Sequence, residues 1–173
     1  MIKLMPCEKK WKTSIIIVMG VSGSGKTTAG IRLARHLGWD YIESDDYHSE
    51  LEVRKMASGI HLTDEDRQPW LKKLHVLLME YHERGQPVVM ACSALKERYR
   101  RQLIEGMEES SVFVYLKGDY ELIRTRMQER LHFMKADMLQ SQFDALEEPP
   151  DAINVNINKP VEEIMIEIIH ELN

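Results

Sequence analysis

Apolar residues run unbroken through Ile15-Ile16-Ile17-Val18-Met19, Val88-Val89-Met90-Ala91-Cys92 and Val112-Phe113-Val114-Tyr115-Leu116. A strand with one wet face alternates apolar and polar positions. These runs do not, so they predict strands buried on both faces. Trp39–Ile42 and Ile153–Ile157 give two shorter strands. Between the strands the apolar positions recur at helical spacing. Thr27–Leu37 carries Ala29, Leu33, Ala34 and Leu37 on one side and is stopped by Gly38. Glu50–Ser58 is a short helix stopped by Gly59. Thr63-Asp64-Glu65-Asp66 is a helix-start signature for a long helix through Trp70, Leu71, Leu74, Leu77, Leu78 and Tyr81, closed by Gly85. Trp70 opens that apolar stripe and is read as core. Ser93–Tyr99, Asp119–Arg130, Ala136–Leu146 and Val161–Leu172 complete the helices.

Strands and helices alternating in this way predict an α/β fold, a parallel sheet of the five strands named above with helices on both faces. Ligands of such folds sit beyond the carboxyl ends of the strands. The rule gathers four segments onto one edge, those after Met19, Ile42, Cys92 and Leu116. Residues 1–12 read as a loose leader to a single domain, 1–173. The region 117–148 is rich in Arg, Lys, Gln and Glu, which fits either a solvated helix pair or a mobile lid.

The segment after the first strand carries the most specific chemistry. Gly20-Val21-Ser22-Gly23-Ser24-Gly25-Lys26-Thr27 is a phosphate-binding loop set between strand and helix, followed by Thr28. Its glycines allow a tight turn that points successive N–H groups at phosphate oxygens. Lys26 can reach the β- and γ-phosphates, Thr27 can offer its hydroxyl to Mg²⁺, and the helix presents its positive end. The pattern marks a nucleotide-using P-loop protein. No guanine-selecting Asn-Lys-x-Asp element accompanies it, which disfavours a GTPase switch.

Asp45 and Asp46 follow the second strand. Either could face the γ-phosphate, receiving the substrate hydroxyl's proton or holding Mg²⁺ through water. Turn capping is the bland alternative. Arg126 and Arg130, four residues apart, share a helix face and could together meet a polyphosphate, while Arg124 points elsewhere on a regular helix. Arginine forks suit phosphate oxygens. Surface pairing with Glu121 and Glu129 is equally compatible with the pattern.

Composition narrows the partners. The chain has 173 residues, 43% hydrophobic and 29% charged, with a formal net charge of -5. That balance argues against nucleic-acid binding, which needs a basic face. Cys7 and Cys92 are the only cysteines, too few and too scattered for a disulfide framework or zinc cluster. No apolar run is long enough for a membrane helix, and charges at Glu8, Lys9, Lys10 and Lys12 interrupt any signal-peptide core. A cytosolic location is expected.

Several longer motifs are specific to one family. Lys55-Met56-Ala57-Ser58-Gly59-Ile60, Leu62-Thr63-Asp64-Glu65-Asp66-Arg67-Gln68-Pro69-Trp70-Leu71, Ala91-Cys92-Ser93-Ala94-Leu95-Lys96 with Tyr99 and Arg100, and His132-Phe133-Met134 ahead of Leu139–Glu147 resemble the gluconate kinase family of small P-loop kinases, over about residues 15–157. The resemblance implies a three-layer sandwich of the nucleoside-monophosphate-kinase type with a helical lid. It implies transfer of the ATP γ-phosphate to the 6-hydroxyl of D-gluconate, with Mg²⁺, in a cytosolic homodimer. It also implies that Asp45 is the base or hydroxyl-orienting residue and a metal ligand, and that His48 contacts substrate hydroxyls or carboxylate. Lys55, Arg67, Lys96, Arg100 and His132 are carried into the substrate and lid regions, Arg67 with a competing role in pairing Asp64 or Asp66. The lid arginines fall to the nucleotide, with Arg126 and Arg130 in catalysis and Arg124 in binding.

Departures from the family pattern cluster near the acceptor. Ser44 replaces a glycine, Ser49 replaces the proline after the histidine, and Glu52 stands where asparagine is common. In the lid, Leu131-His132-Phe133-Met134 runs one residue short and Lys135 replaces a proline. A carboxylate added beside a bound anion costs Coulomb energy unless a cation or proton offsets it. The departures leave open a kinase for a related sugar acid or polyol. A nucleotide-binding regulatory protein is the alternative from another class.

Overall fold

The fold was analysed in a computed structural model, which describes residues 13–129 and 136–172. The leader, Cys7, Arg130, His132 and the remainder of 130–135 lie outside the described residues, as does Asn173.

The five apolar runs form one parallel sheet. Its strands are β1 (Ile15–Met19), β2 (Asp40–Glu43), β3 (Val88–Ala91), β4 (Ser111–Lys117) and β5 (Ile153–Asn156), in the order β2-β3-β1-β4-β5. β1 is central, with Ile15 opposite Val88 on one side and Ser111 on the other. Every residue of β1 and β3 is buried, which is why their sequences read as continuous apolar runs.

Alternation along β1 divides the core into two. Ile16 and Val18 pack with α1 (Lys26–Leu37), α5 (Tyr120–Glu129), α6 (Ala136–Ala145) and α7 (Val161–Glu171), through Leu33, Ile123, Met127, Leu139 and Ile168. Ile15, Ile17 and Met19 pack with α3 (Asp64–Glu83) and α4 (Glu97–Ile104), through Trp70, Leu71, Leu74, Leu78 and Leu103. The result is the expected three-layer α/β sandwich.

Two helix starts are set by side-chain caps. The Thr63 hydroxyl accepts from Asp66 N–H while the Asp66 carboxylate accepts from Thr63 N–H, which starts α3. Ser49 and Glu52 make the same reciprocal pair for α2 (Glu50–Ala57). α1 stops at Gly38, whose φ of 70° is left-handed. One helix differs from the expected bounds. Residues 93–96 are not helical, and α4 begins only at Glu97. Ala94 sits at φ 44°, and the carbonyls of Ala94 and Leu95 accept from Arg100 Nη1 at 3.0 and 3.1 Å rather than entering a helix.

Leu74 is fully buried beneath the sheet, so Leu74→Ala is expected to lower stability by about 2–5 kcal/mol, read as a lower urea midpoint at unchanged slope.

Candidate active site

The carboxyl ends of β1, β2 and β3 bring three segments together: the loop 20–25, the 3-10 turn Ser44–Tyr47, and residues 92–96. The loop depends on left-handed glycines. Gly20, Gly23 and Gly25 have φ of 144°, 80° and 96°. A Cβ on Gly23 would stand 2.6 Å from Met127 Cγ of α5, so glycine is required there for space as well as for backbone freedom. Ser24 is buried and its hydroxyl has no hydrogen-bond partner. A concave loop with an orphaned donor is chemically suited to a polyphosphate. Val21 is buried, while Thr28 is exposed on the first turn of α1.

Lys26 Nζ donates to the Val21 carbonyl at 3.0 Å, bridging its own loop. Burial pushes its ammonium below the ordinary lysine pKa, opposed by the carboxylates of Asp45 and, more weakly, Glu43. A desolvated cation of this kind is stabilised by any anion delivered to it. Cys92, at the end of the β3 run, is also buried. Its thiol is pushed up to about 11, mainly by desolvation, and remains neutral at physiological pH.

Thr27 Oγ1 donates to Glu43 Oε2 at 2.8 Å, and the Tyr41 hydroxyl donates to the same oxygen at 2.7 Å. Burial, then the bond to Glu43, pushes the Tyr41 phenol above its ordinary value. Glu43 was not among the expected site residues. Its signal lay in the period of two along β2, which puts Tyr41 and Glu43 on one side of the strand at the end nearest the loop. Thr27 and Glu43, in contact, and the exposed Asp45 on the turn just after β2 all offer oxygen donors at this sheet edge. Mg²⁺ suits such a set, since it takes one or two protein oxygens and completes its shell with phosphate and water. Among the described residues no group of three or more His, Cys, Asp or Glu could hold a metal alone.

On the turn, Asp45 projects its carboxylate into solvent, 74% exposed, with Oδ1 4.0 Å from His48 Nε2. The His48 side chain is only 7% exposed and stacks on Trp70, centroids 4.5 Å apart and planes 10° from parallel. Trp70 donates its indole N–H to the Ser44 carbonyl at 2.9 Å. It is thus both core residue and platform. The expected clash from Glu52 does not arise in this arrangement, because its carboxylate is turned into the α2 cap and toward His48 Nδ1 at 3.5 Å. Burial acts to raise its pKa, but hydrogen bonds from Ser49 and the nearby His48 outweigh it and the net direction is down.

The expected cations differ in where they go. Lys96 Nζ donates to both oxygens of Asp64, at 3.1 and 3.2 Å, and Asp64 also receives Arg98 and the Tyr99 hydroxyl. Lys55 pairs with Asp66 at 2.7 Å. Arg67 pairs with neither aspartate. It donates to the carbonyls of Leu62 and Thr63 at 2.5 and 3.4 Å and lies 6.0 Å from the Tyr99 ring centre. Arg100 is buried beneath the 93–96 segment, where burial lowers its pKa against the pull of Glu147 and Glu97.

In the 117–148 region, Arg124 pairs with Glu121 at 2.6 Å on the exposed side of α5, and Arg126 donates to the Ile157 carbonyl at 2.7 Å. Among the described residues, the polar link from this region to the phosphate loop is instead made by Gln142 of α6. Its Oε1 accepts from Ser22 N–H at 2.7 Å and its Nε2 donates to Ser22 Oγ at 3.2 Å.

A glycine-shaped loop closing on a half-buried lysine, at the carboxyl edge of a five-stranded parallel sheet, defines a P-loop phosphotransferase. Comparison with known proteins narrows the class. A family profile described as "AAA domain" matches residues 15–149. The "Probable gluconokinase" of Mus musculus is 44% identical over 179 residues, spanning 91% of this chain and 97% of that one. The "Thermosensitive gluconokinase" of Escherichia coli (strain K12) is 42% identical over 150 residues, 84% of this chain and 80% of that one. The crystal structure of a gluconokinase from Sinorhizobium meliloti 1021 superimposes with a TM-score of 0.86 at 39% identity, over 95% of this chain and 93% of that one. The chain belongs to the gluconokinase family. It is a small-molecule kinase. No helix among its described residues is long and apolar enough to cross a membrane.

Two predictions test this geometry. Gly23→Ala forces a left-handed alanine costing about 1–2 kcal/mol against Met127, so nucleotide affinity by calorimetry should fall while the far-ultraviolet spectrum is retained. The second concerns acid. Since the folded Glu52 pKa lies below its ordinary 4.5, wild type should exceed Glu52→Gln in stability above pH 4.5. That excess should vanish as pH drops through the folded value, in denaturation followed by circular dichroism.

Proposed function

We propose that this enzyme transfers the γ-phosphate of ATP to the 6-hydroxyl of D-gluconate, giving 6-phospho-D-gluconate and ADP. The observation that carries the reading is the exposed Asp45 carboxylate beside the buried His48, on a turn that shares the sheet edge with Lys26. Gluconokinase relatives across nearly the whole chain support gluconate as the acceptor in this reading.

In this reading the loop amides of 20–27 and Lys26 bind the β- and γ-phosphates, and Thr28 follows them along α1. Asp45 orients the attacking hydroxyl. Its oxygen bonds to the γ-phosphorus as the bond to the β–γ bridging oxygen breaks, the hydroxyl proton passes to Asp45, and ADP leaves. Mg²⁺ would be held by Thr27 with Asp45 and Glu43 nearby, and supplies charge neutralisation to the phosphates when bound. His48, Lys55, Arg67 and Lys96 are assigned to the sugar acid. Lys55 and Lys96 must then exchange Asp66 and Asp64 for substrate, whereas Arg100 acts by shaping the 93–96 segment.

The 117–148 region serves as the lid. Closure would release Arg126 from the Ile157 carbonyl and Arg124 from Glu121, bringing cations to the transferring group and excluding water from it. Arg130 and His132 belong to the same lid in this proposal, and the family resemblance supports a cytosolic homodimer.

A coupled ADP-release assay with Mg-ATP, with and without D-gluconate, followed by identification of 6-phosphogluconate, tests the reaction. Gluconate-dependent ADP release with that product is expected; turnover only with a different polyol would replace the acceptor. Asp45→Ala should lower kcat by more than about tenfold with the fold intact, and full activity in the folded variant would remove Asp45 from the mechanism.

A further inference from the structure

Ser49 and Glu52, two separate departures in the sequence, form one device. Ser49 N–H donates to Glu52 Oε2 at 2.5 Å, and Glu52 N–H donates to Ser49 Oγ at 3.3 Å. A proline at 49 would have no N–H to give. The same carboxylate faces His48, with Oε2 3.5 Å from Nδ1. Glu52 is 7% exposed; its Oε1 is buried without a hydrogen-bond partner, and His48 Nδ1 is likewise buried without one, Glu52 Oε2 being the carboxylate oxygen it faces. The imidazole is held flat against Trp70, which Ser44 holds in turn. One ring nitrogen therefore faces Glu52 of α2, the other faces Asp45 of the turn, and the contact from α3 is the uncharged indole.

We propose that Glu52 is a positioning residue that holds the proton of His48 on Nδ1, leaving Nε2 as a lone-pair acceptor 4.0 Å from Asp45 Oδ1, so that the two acceptors receive two adjacent hydroxyls of a polyhydroxy substrate. This rests on the acceptor site proposed above and adds its selection rule. The separation is too long for a direct hydrogen bond and suits neighbouring hydroxyls, each donating to one acceptor. A carboxylate in place of a carboxamide matters because Oε2 serves two donors, Ser49 N–H and His48 Nδ1–H, and carries the charge that makes both bonds strong. An apo contact of 3.5 Å tightens when substrate fills the other side of the ring. Rejection of a deoxy analogue follows, since the missing hydroxyl leaves one of the two acceptors facing the bound substrate without a donor.

The test combines a spectroscopic and a kinetic readout. Long-range proton–nitrogen spectra of the free wild-type protein should show His48 protonated on Nδ1 and bare on Nε2, with the pattern reversed in Glu52→Ala and unchanged in Ser49→Ala, which loosens the α2 cap while keeping Glu52. KM for the acceptor should rise about tenfold in Glu52→Ala, equivalent to loss of one good hydrogen bond, with KM for ATP unchanged. Ser49→Ala should leave both constants near wild type. Should Glu52→Ala not fold, Glu52→Gln serves in its place, its single carbonyl oxygen having to serve both donors. A wild-type His48 protonated on Nε2 overturns the proposal, and so do equal kinetic losses in the Ser49 and Glu52 variants. If gluconate is not the acceptor, wild type shows no turnover with it while the spectra still report the tautomer, so the two failures are separable.

Discussion

A desolvated ammonium at the carboxyl edge of the sheet is the constraint from which the site is built. Lys26 is half-buried, and desolvation alone would drive it toward the neutral amine. Two things keep a cation tenable there. The Val21 carbonyl accepts a hydrogen bond from its ammonium, and the carboxylates of Asp45 and Glu43 lie close enough to pull its pKa back upward. The first comes from the loop after β1 and the second from the end of β2, so the lysine requires the sheet order as much as the loop. β3, inserted between β1 and β2, spaces the β2 carboxylates from the loop, and the left-handed glycines let the chain return beneath its own lysine.

The acceptor side is rigid for a different reason. Its parts are tied to helix starts, where unpaired N–H groups demand partners. α2 begins on Ser49 and Glu52 and α3 on Thr63 and Asp66. The side chains that satisfy those demands are the ones that reach His48 and Lys55. Helix capping and substrate positioning therefore draw on the same atoms. Trp70 joins the two sides, its ring packed in the core, its face against His48 and its N–H on Ser44.

Much of this was legible in the amino-acid order because buried parallel strands and glycine-stopped helices write themselves in short, local patterns. The runs at 15–19, 88–92 and 112–116 read correctly since both of their faces are covered. The helix expected from Ser93 did not form until Glu97, because a side chain six residues beyond Ala94, the buried Arg100, claims carbonyls that a helix would have used. Glu43 escaped notice for a related reason, since its meaning depends on Thr27, sixteen residues earlier in the first turn of α1. Gln142 contacts Ser22 across 120 residues, a separation at which no local pattern speaks. Glu52 looked like an added charge against an anion. It became intelligible only once Ser49 and His48 were seen on its two sides.

Asp64 gathers Lys96, Arg98 and the Tyr99 hydroxyl around one carboxylate. Any acidic substrate that engages Lys96 must trade places with that internal anion. Its binding there is an ion exchange, and the free energy it gains is the difference between two carboxylates competing for one cation rather than the full worth of a salt bridge. Charge alone gives such a site little preference among acids, since the resident carboxylate already satisfies it. Discrimination falls to the substrate's shape and hydroxyl pattern, and the surrendered Asp64, still held by its arginine and tyrosine, is ready to take the lysine back when product leaves.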